Sequence, residues 1–319
     1  MVLGLQHIAY HVPEGVVSNA ALCQRHGFEE AFIRDKLGIA QRHIAAADES
    51  TGDLAVVAAE KALAEGGVGR DDIECLVVVT QTPDYTLPHT AALVQERLGL
   101  HQGVASFDIS LGCSGYVYGL ATVLAFMEAQ GMRHGLLITA EEYSRLMDEA
   151  DRATAPLFGD GAAATLLGPE PRYRLGKAAF GTDGSGASSL IARGTGSRAG
   201  PRRPLFMDGR AIFNFMMTRV PENVADCLAR NGLEQEQIDL WVFHQASGYL
   251  LTTLAKRMNL DPGKLAIELA DVGNTTSSTI PIALARTAFA ADPAPERVLI
   301  CGFGVGLSWA SVVLERDRH

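Results

Sequence analysis

The pattern of the first half of this 319-residue chain recurs in the second half at a nearly constant offset, and that recurrence restricts the fold more than any other feature. IECLVVVTQT (73–82) and IDLWVFHQA (238–246) both read as buried strands, with Ile73 and Ile238 165 positions apart. Ile138 in HGLLITAEE (134–142) and Ile300 in ERVLICGFGVGLSWASVVLER (296–316) are 162 apart. Cys113 and Asn274, 161 apart, each stand between a β-prone stretch and an apolar helical one. Continuous apolar runs belong to strands covered on both faces. The repeat therefore predicts a duplicated α/β unit, with halves 1–172 and 173–319 and a sheet in each.

Local signals fill in the elements. TGDLAVVAAEKALAEGG (51–67) reads as a helix with a cap at Thr51 or Asp53 and a double-glycine stop. AALVQERLGL (91–100) and YLLTTLAKRMNL (249–260) are amphipathic helices, and FGDGAAATLLG (158–168) is a turn into a strand. LAIELADVGNTTSSTIPIALARTAFA (265–290) reads as strand, turn and helix. SGASSLIARGTGSRAGPRRP (185–204), rich in Gly, Ser and Arg, reads as a long loop.

A twofold arrangement of halves would set corresponding turns opposite each other. Cys113, in DISLGCSGYVYG, then meets Asn274, in VGNTTSST, with His244 of VFHQA at the end of the strand beside them. Each has an ordinary structural reading: a small core cysteine, a satisfied buried histidine, a turn or cap asparagine. Their predicted meeting raises the functional reading of all three. A cysteine beside a helix N-terminus is placed to act as a thiolate, which attacks a thioester to give an acyl-cysteine. A histidine N–H and an asparagine N–H₂ are two neutral donors for one developing oxyanion. GFGVG (302–306) brings backbone N–H groups close, and no Lys-Ser/Thr follows it as in a phosphate loop.

Composition excludes other classes. A net charge of −10 argues against nucleic-acid binding, and no apolar run reaches membrane-span length. The start, MVLGLQHIAYHVPEGVVSN, lacks signal-peptide character. The five cysteines are scattered without metal spacing, which suits a reducing cytoplasm, and Cys75 and Cys301 read as inert core residues. Arg193, Arg198, Arg202, Arg203 and Arg210 cluster in sequence, as do Lys256 and Arg257; a solvated surface is the favoured reading, a dock for an acidic partner or a phosphate the other.

DISLGCSGYVYGL, VFHQA, GNTTSST and GFGVGLSW, in this order and spacing, resemble the β-ketoacyl-acyl-carrier-protein synthase III family of the thiolase superfamily. The resemblance runs from NAALCQRHGFEEAFIRDKLGIAQRHIA (19–45) to the C-terminal strand. It implies a five-layered αβαβα fold and a homodimeric acyltransferase of fatty-acid or specialised metabolism. In that reading Cys113 takes an acyl group from acyl-CoA, and His244 and Asn274 drive decarboxylation of a malonyl thioester carried on acyl carrier protein. The product is a β-ketoacyl thioester, and no metal or redox cofactor is needed. The resemblance puts the oxyanion hole at the backbone N–H groups of Cys113 and Val305. It puts the adenine end of CoA on Phe32 and Arg152, with Lys36 nearby, and the pantetheine and acyl channel along Met207, Phe213, Ala246, Ser247 and Phe303. Leu87 would reach across a dimer to close the partner's acyl pocket; being smaller than the family's common aromatic, it implies room for longer or bulkier acyl groups. Phe32 stands where the family has tryptophan, Lys36 where it has arginine, Ser247 where it has asparagine and Tyr249 where it has a basic residue. These departures leave open a specialised-metabolite enzyme with an unusual starter or a non-malonyl acceptor. A non-catalytic dimer partner on the same scaffold is the further alternative.

Overall fold

A computed structural model describes residues 2–198 and 200–317. Ten strands carry the fold: β1 (Gly4–His11), β2 (Ile73–Val79), β3 (Ala105–Ile109), β4 (His134–Glu141), β5 (Gly161–Gly168), β6 (Tyr173–Leu175), β7 (Ala179–Thr182), β8 (Leu240–Phe243), β9 (Arg297–Gly304) and β10 (Ser308–Arg316). Six helices pack on them: α1 (Thr51–Gly66), α2 (Thr90–Arg97), α3 (Gly115–Gln130), α4 (Gly209–Asn231), α5 (Gly248–Arg257) and α6 (Thr279–Arg286).

The strands run β8-β9-β10-β6-β1-β5-β4-β2-β3, with β7 also on β10. β2 pairs in parallel with β3 and β4, and β8 in parallel with β9; the remaining pairs are antiparallel. The duplication is visible in this order, since β2, β4 and β5 correspond to β8, β9 and β10. The expectation of a separate sheet in each half is corrected. One ladder joins them through Leu5 and Tyr173, reinforced by Arg172 N–H donating to the Leu5 carbonyl at 2.8 Å. The expected strand at 265 is corrected too. Only Leu265 bridges to Trp241, and Ala266 N–H donates to the Trp241 carbonyl, so the counterpart of β3 shrinks to one contact.

Side-chain alternation builds the layers. Leu76 and Val78 of β2 face Leu54, Ala58 and Val94 on α1 and α2. Cys75, Val77 and Val79 face the other way, onto Val117 and Leu120 of α3. In β9, Val298 and Ile300 join that same inner cluster with Ile280 and Ala283 of α6. Leu299 and Cys301 point outward to Val220 of α4 and Leu254 of α5. So α3 and α6 are sandwiched between the halves, and the other helices cover the outside. Each fully buried aliphatic side chain contributes about 1.5–3 kcal/mol.

Helix ends refine the sequence reading. Ser50, not Thr51 or Asp53, caps α1; its hydroxyl accepts from Asp53 N–H while Asp53 accepts from Ser50 N–H, a reciprocal capping box. Helix α4 was not legible, because Pro221 inside it reads as a breaker. Asp208 caps it, accepting from Arg210 and Ala211 N–H. The loop after residue 185 is bounded by structure of its own. Leu190–Ile191 pairs with Phe206–Met207, placing Leu190 opposite Met207.

Candidate active site

Cys113 sits in the turn between β3 and α3, and close packing by glycines holds it there. A side chain at Gly302 would meet the Cys113 carbonyl at 2.5 Å, and one at Gly304 would meet Cys113 Sγ at 2.9 Å. Ser114 and Ser308 hydroxyls, 2.7 Å apart, tie the turn to β10. Asp108, at the end of β3, accepts from Thr90 and Ala91 N–H and thereby caps α2. Gly306, in the turn that carries Val305, takes φ +143, a conformation that favours glycine.

The thiol is buried, and the expectation of a stabilised resting thiolate is corrected. Loss of water, followed by the nearby Glu141, pushes its pKa up to about 12. Hydrogen bonds from the backbone N–H groups of Cys113 itself and of Val305 pull the other way. Those two donors converge on the sulfur.

Asn274 comes from the opposite half. Gly273, at φ +72, turns the chain, and Asn274 pairs with the Phe158–Gly159 segment through Gly159 N–H to the Asn274 carbonyl at 3.0 Å. Its side-chain Oδ1 accepts from Thr276 N–H at 3.0 Å, which leaves the Nδ2 group for the cavity. Thr276 holds φ +54, costly for a β-branched residue, so the turn is strained where it orients this amide.

His244 follows β8, and its N–H donates to the Cys301 carbonyl at 2.8 Å. Its Nδ1 lies 2.7 Å from Thr279 Oγ1, and its ring meets Phe303 edge-on at 5.5 Å. Burial pushes its pKa down to about 3, against a backbone contact from Thr276, so the imidazole is neutral at physiological pH. The Thr279 hydroxyl has one proton for two acceptors in reach, Nδ1 and the Thr276 carbonyl at 3.0 Å; turned to Nδ1, it leaves the ring proton on Nε2, where it can be donated.

Behind them lies Glu141, with a pKa raised by burial to about 8. It accepts from Gln81 N–H, Thr82 Oγ1 and Ser277 Oγ at 3.0, 3.1 and 3.0 Å. It thereby joins the ends of β2 and β4 to the turn carrying Asn274.

Cys113, His244 and Asn274 line one apolar cavity of about 510 Å³. Lys36, Arg152, Met207, Phe213, Ala246, Ser247 and Phe303 line it as well. The Ser247 hydroxyl is engaged in capping α5, accepting from Leu250 N–H at 3.3 Å. Lys36 Nζ sits 5.1 Å over the Tyr249 ring, so Tyr249 shares this wall with Lys36. Leu87 is elsewhere, 84% exposed on the loop after β2. The Phe32 side chain lies outside the described residues. Phe158, Leu190 and Thr279 were not singled out from sequence; the hydroxyl-rich TTSST run and the LFGDG turn were the available signals. Arg193 and Arg203, with Asp148 and Asp151, line a separate cavity of about 570 Å³.

Two family models match the chain, 3-oxoacyl-[acyl-carrier-protein (ACP)] synthase III over residues 107–184 and its C-terminal part over 228–316. A β-ketoacyl-[acyl-carrier-protein] synthase III of Rhodospirillum rubrum is 38% identical over 312 residues, 95% of this chain and 96% of that protein. Its counterpart in Lactococcus lactis is 35% identical over 323 residues, covering 96% and 97%. A solved synthase III from Thermus thermophilus has a TM-score of 0.91 at 34% identity, covering 99% of this chain and 100% of that one. The priming β-ketosynthase of a polyketide biosynthetic pathway has a TM-score of 0.90 at 29% identity, covering 100% and 97%.

Proposed function

The chain belongs to the 3-oxoacyl-[acyl-carrier-protein] synthase III family, and on that premise we propose how its own residues carry out the condensation. Cys113 sulfur attacks the carbonyl carbon of an acyl-CoA. The tetrahedral oxyanion lies between the N–H groups of Cys113 and Val305, and the bond to CoA sulfur breaks. The thiol proton leaves with the CoA thiolate, so charge balances. Because burial holds the resting nucleophile as a thiol, its deprotonation is coupled to donor binding.

A malonyl thioester on acyl carrier protein then enters the same cavity. His244 Nε2–H and Asn274 Nδ2–H donate to its thioester oxygen while the bond to the carboxylate breaks and CO₂ departs. The electron pair goes into an enolate held by the two donors. A neutral imidazole suits this step, since it donates without supplying a proton that would quench the carbanion. The carbanion attacks the acyl-cysteine, a carbon–carbon bond forms, and Cys113 sulfur leaves as a thiolate that takes one proton from solvent, giving the β-ketoacyl product and restoring the resting thiol. Lys36 and Arg152 hold the CoA end; Phe32 is assigned to the adenine. Met207, Phe213, Ala246, Ser247 and Phe303 form the channel. No metal or redox group enters this scheme.

The observation that carries this reading is the convergence of Cys113 and its two N–H donors with His244 and Asn274 on one apolar cavity. The test is intact-protein mass after incubation with acyl-CoAs, then malonyl-acyl carrier protein. A Cys113-dependent acyl adduct that chases into a β-keto product supports it; no adduct from CoA or carrier donors defeats it.

The likeness to a polyketide priming enzyme favours a second reading, an unusual starter in specialised metabolism. Product mass separates the two, and it also identifies a non-malonyl acceptor, because simple transfer adds no keto unit. A non-catalytic partner role would leave the protein without any adduct.

We also assign a homodimer, with the halves 1–172 and 173–319 repeated in each copy. Among the described residues β3 ends the sheet with one edge unpaired, and the neighbouring loop exposes Tyr85 at 61% and Leu87 at 84%. Sedimentation of the purified chain tests this. A cytoplasmic location is the matching assignment: the five cysteines are free thiols, and no helix among the described residues is long and apolar enough to cross a membrane.

A further inference from the structure

Tyr143 follows β4, buried in the outer cluster of the second half. Its ring packs 5.3 Å from that of Phe158, which lines the cavity holding Cys113. Its hydroxyl donates to Gln81 Oε1 at 2.6 Å. Gln81 Oε1 in turn presses on Gly112, the residue before the nucleophile; a Cβ there would lie 2.4 Å from it. On its far side Gln81 lines a different, polar cavity of about 720 Å³, shared with Ser50, Asp53, Asp84, Glu142 and Arg145. The Tyr143–Gln81 hydrogen bond thus lies behind the Phe158 wall of the apolar cavity, with the polar cavity on the other side of Gln81.

We infer that this pair is the inner stop for the acyl chain on Cys113, and that it selects short acyl starters over long ones. The inference rests on the acyl-cysteine reading above. With CoA filling the mouth past Lys36 and Arg152, an acyl chain extends inward along Leu157, Phe158 and Leu190. Each methylene placed there gains from leaving water. A chain long enough to pass Phe158 must part the tyrosine hydroxyl from the glutamine and lay methylenes against both. The buried tyrosine hydroxyl then loses its partner, while Gln81 turns to the polar cavity, and the unpaired hydroxyl offsets the gain. Acyl length therefore meets a sharp limit rather than a gradual one. Leu87 of a second copy would border the pocket from outside, and its small size adds no length while Tyr143 stands. Parting the pair also opens the thioester to the polar cavity and its water.

The test measures the rate of Cys113 acylation by intact mass with acetyl-, butyryl-, hexanoyl-, octanoyl- and decanoyl-CoA. The wild-type rate with octanoyl-CoA is expected to fall on the order of tenfold below that with butyryl-CoA. Tyr143→Phe keeps the ring and removes the hydroxyl; Gln81→Ala removes the other partner. In each, the octanoyl-to-butyryl ratio is expected to rise on the order of tenfold, with faster hydrolysis of the acyl-enzyme. Equal wild-type rates with the two donors, or an unchanged ratio in both variants, overturns the inference while leaving the condensing reading intact. No adduct on the wild type from any CoA or carrier donor overturns both.

Discussion

The turn into α3 and the turn into α6 occupy equivalent places in the two halves, and they do opposite jobs. The first is crowded. Gly302 and Gly304 allow the backbone of β9 to press on Cys113, and burial keeps its sulfur protonated. The second is lined with hydroxyls. Thr275 to Thr279 are all buried, and they orient Asn274 and His244 through Thr276 N–H and Thr279 Oγ1. The two turns each lead into a helix; packing crowds a thiol in one and lines the other with hydroxyls that hold an amide and an imidazole. The same divergence marks the sheet. The first half keeps β3 as a full strand at an open edge, while the second half reduces its counterpart to the Leu265 bridge.

The division of labour is broken most completely at its three side chains. Cys113→Ala should abolish the acyl adduct. His244→Ala or Asn274→Ala should keep the adduct and lower condensation by about 10²–10³-fold. Parallel loss of adduct in all three variants would show that the turns are not separable.

The next test is pH. With its pKa near 12, the Cys113 thiolate fraction increases with pH throughout the neutral range. Alkylation by iodoacetamide, read on the Cys113 peptide, should climb with pH from 6 to 9 without a plateau, about tenfold per pH unit at first and less steeply near pH 8, where Glu141 ionises and holds the thiol back. The acidic pKa of His244, about 3, puts no imidazole titration in that window. A plateau below pH 8 would mean that the crowded turn stabilises a thiolate after all.

Gly304→Ala sharpens the packing side. The new methyl falls 2.9 Å from Cys113 Sγ, so the turn must shift. Acylation should slow about tenfold and stability fall by about 1–3 kcal/mol, measured by stopped acylation assays and urea denaturation. The smallest effect is the control. Ser50→Ala removes the cap of α1, which touches neither turn, and should cost about 1 kcal/mol with condensation unchanged. A loss of condensation there would break the separation between scaffold and site.

Much of this was legible in the chain itself. Strand and helix types for β2, β4, α1 and α3 followed from apolar period and glycine stops, because those local forces agree with the final packing. Helix α4 was hidden by Pro221, whose local preference is overruled by the buried face of Phe215, Met216, Val220 and Val224. The strand expected at 265 failed for the reverse reason. Its residues are β-prone, yet only Leu265 bridges to a neighbouring strand.

The sequence by itself determined the duplication, and through it which three side chains would meet. Periodicity and turn chemistry are local properties, and a repeat carries them intact. The tertiary structure alone decided their chemical states: a protonated thiol, a neutral imidazole with a chosen partner, an amide with its oxygen already engaged. It also decided that Tyr143 and Gln81, 62 positions apart, should share a hydrogen bond beside the nucleophile. Those properties depend on which atoms lie within a few ångströms and on how much water is excluded, and neither is encoded in any short stretch of chain.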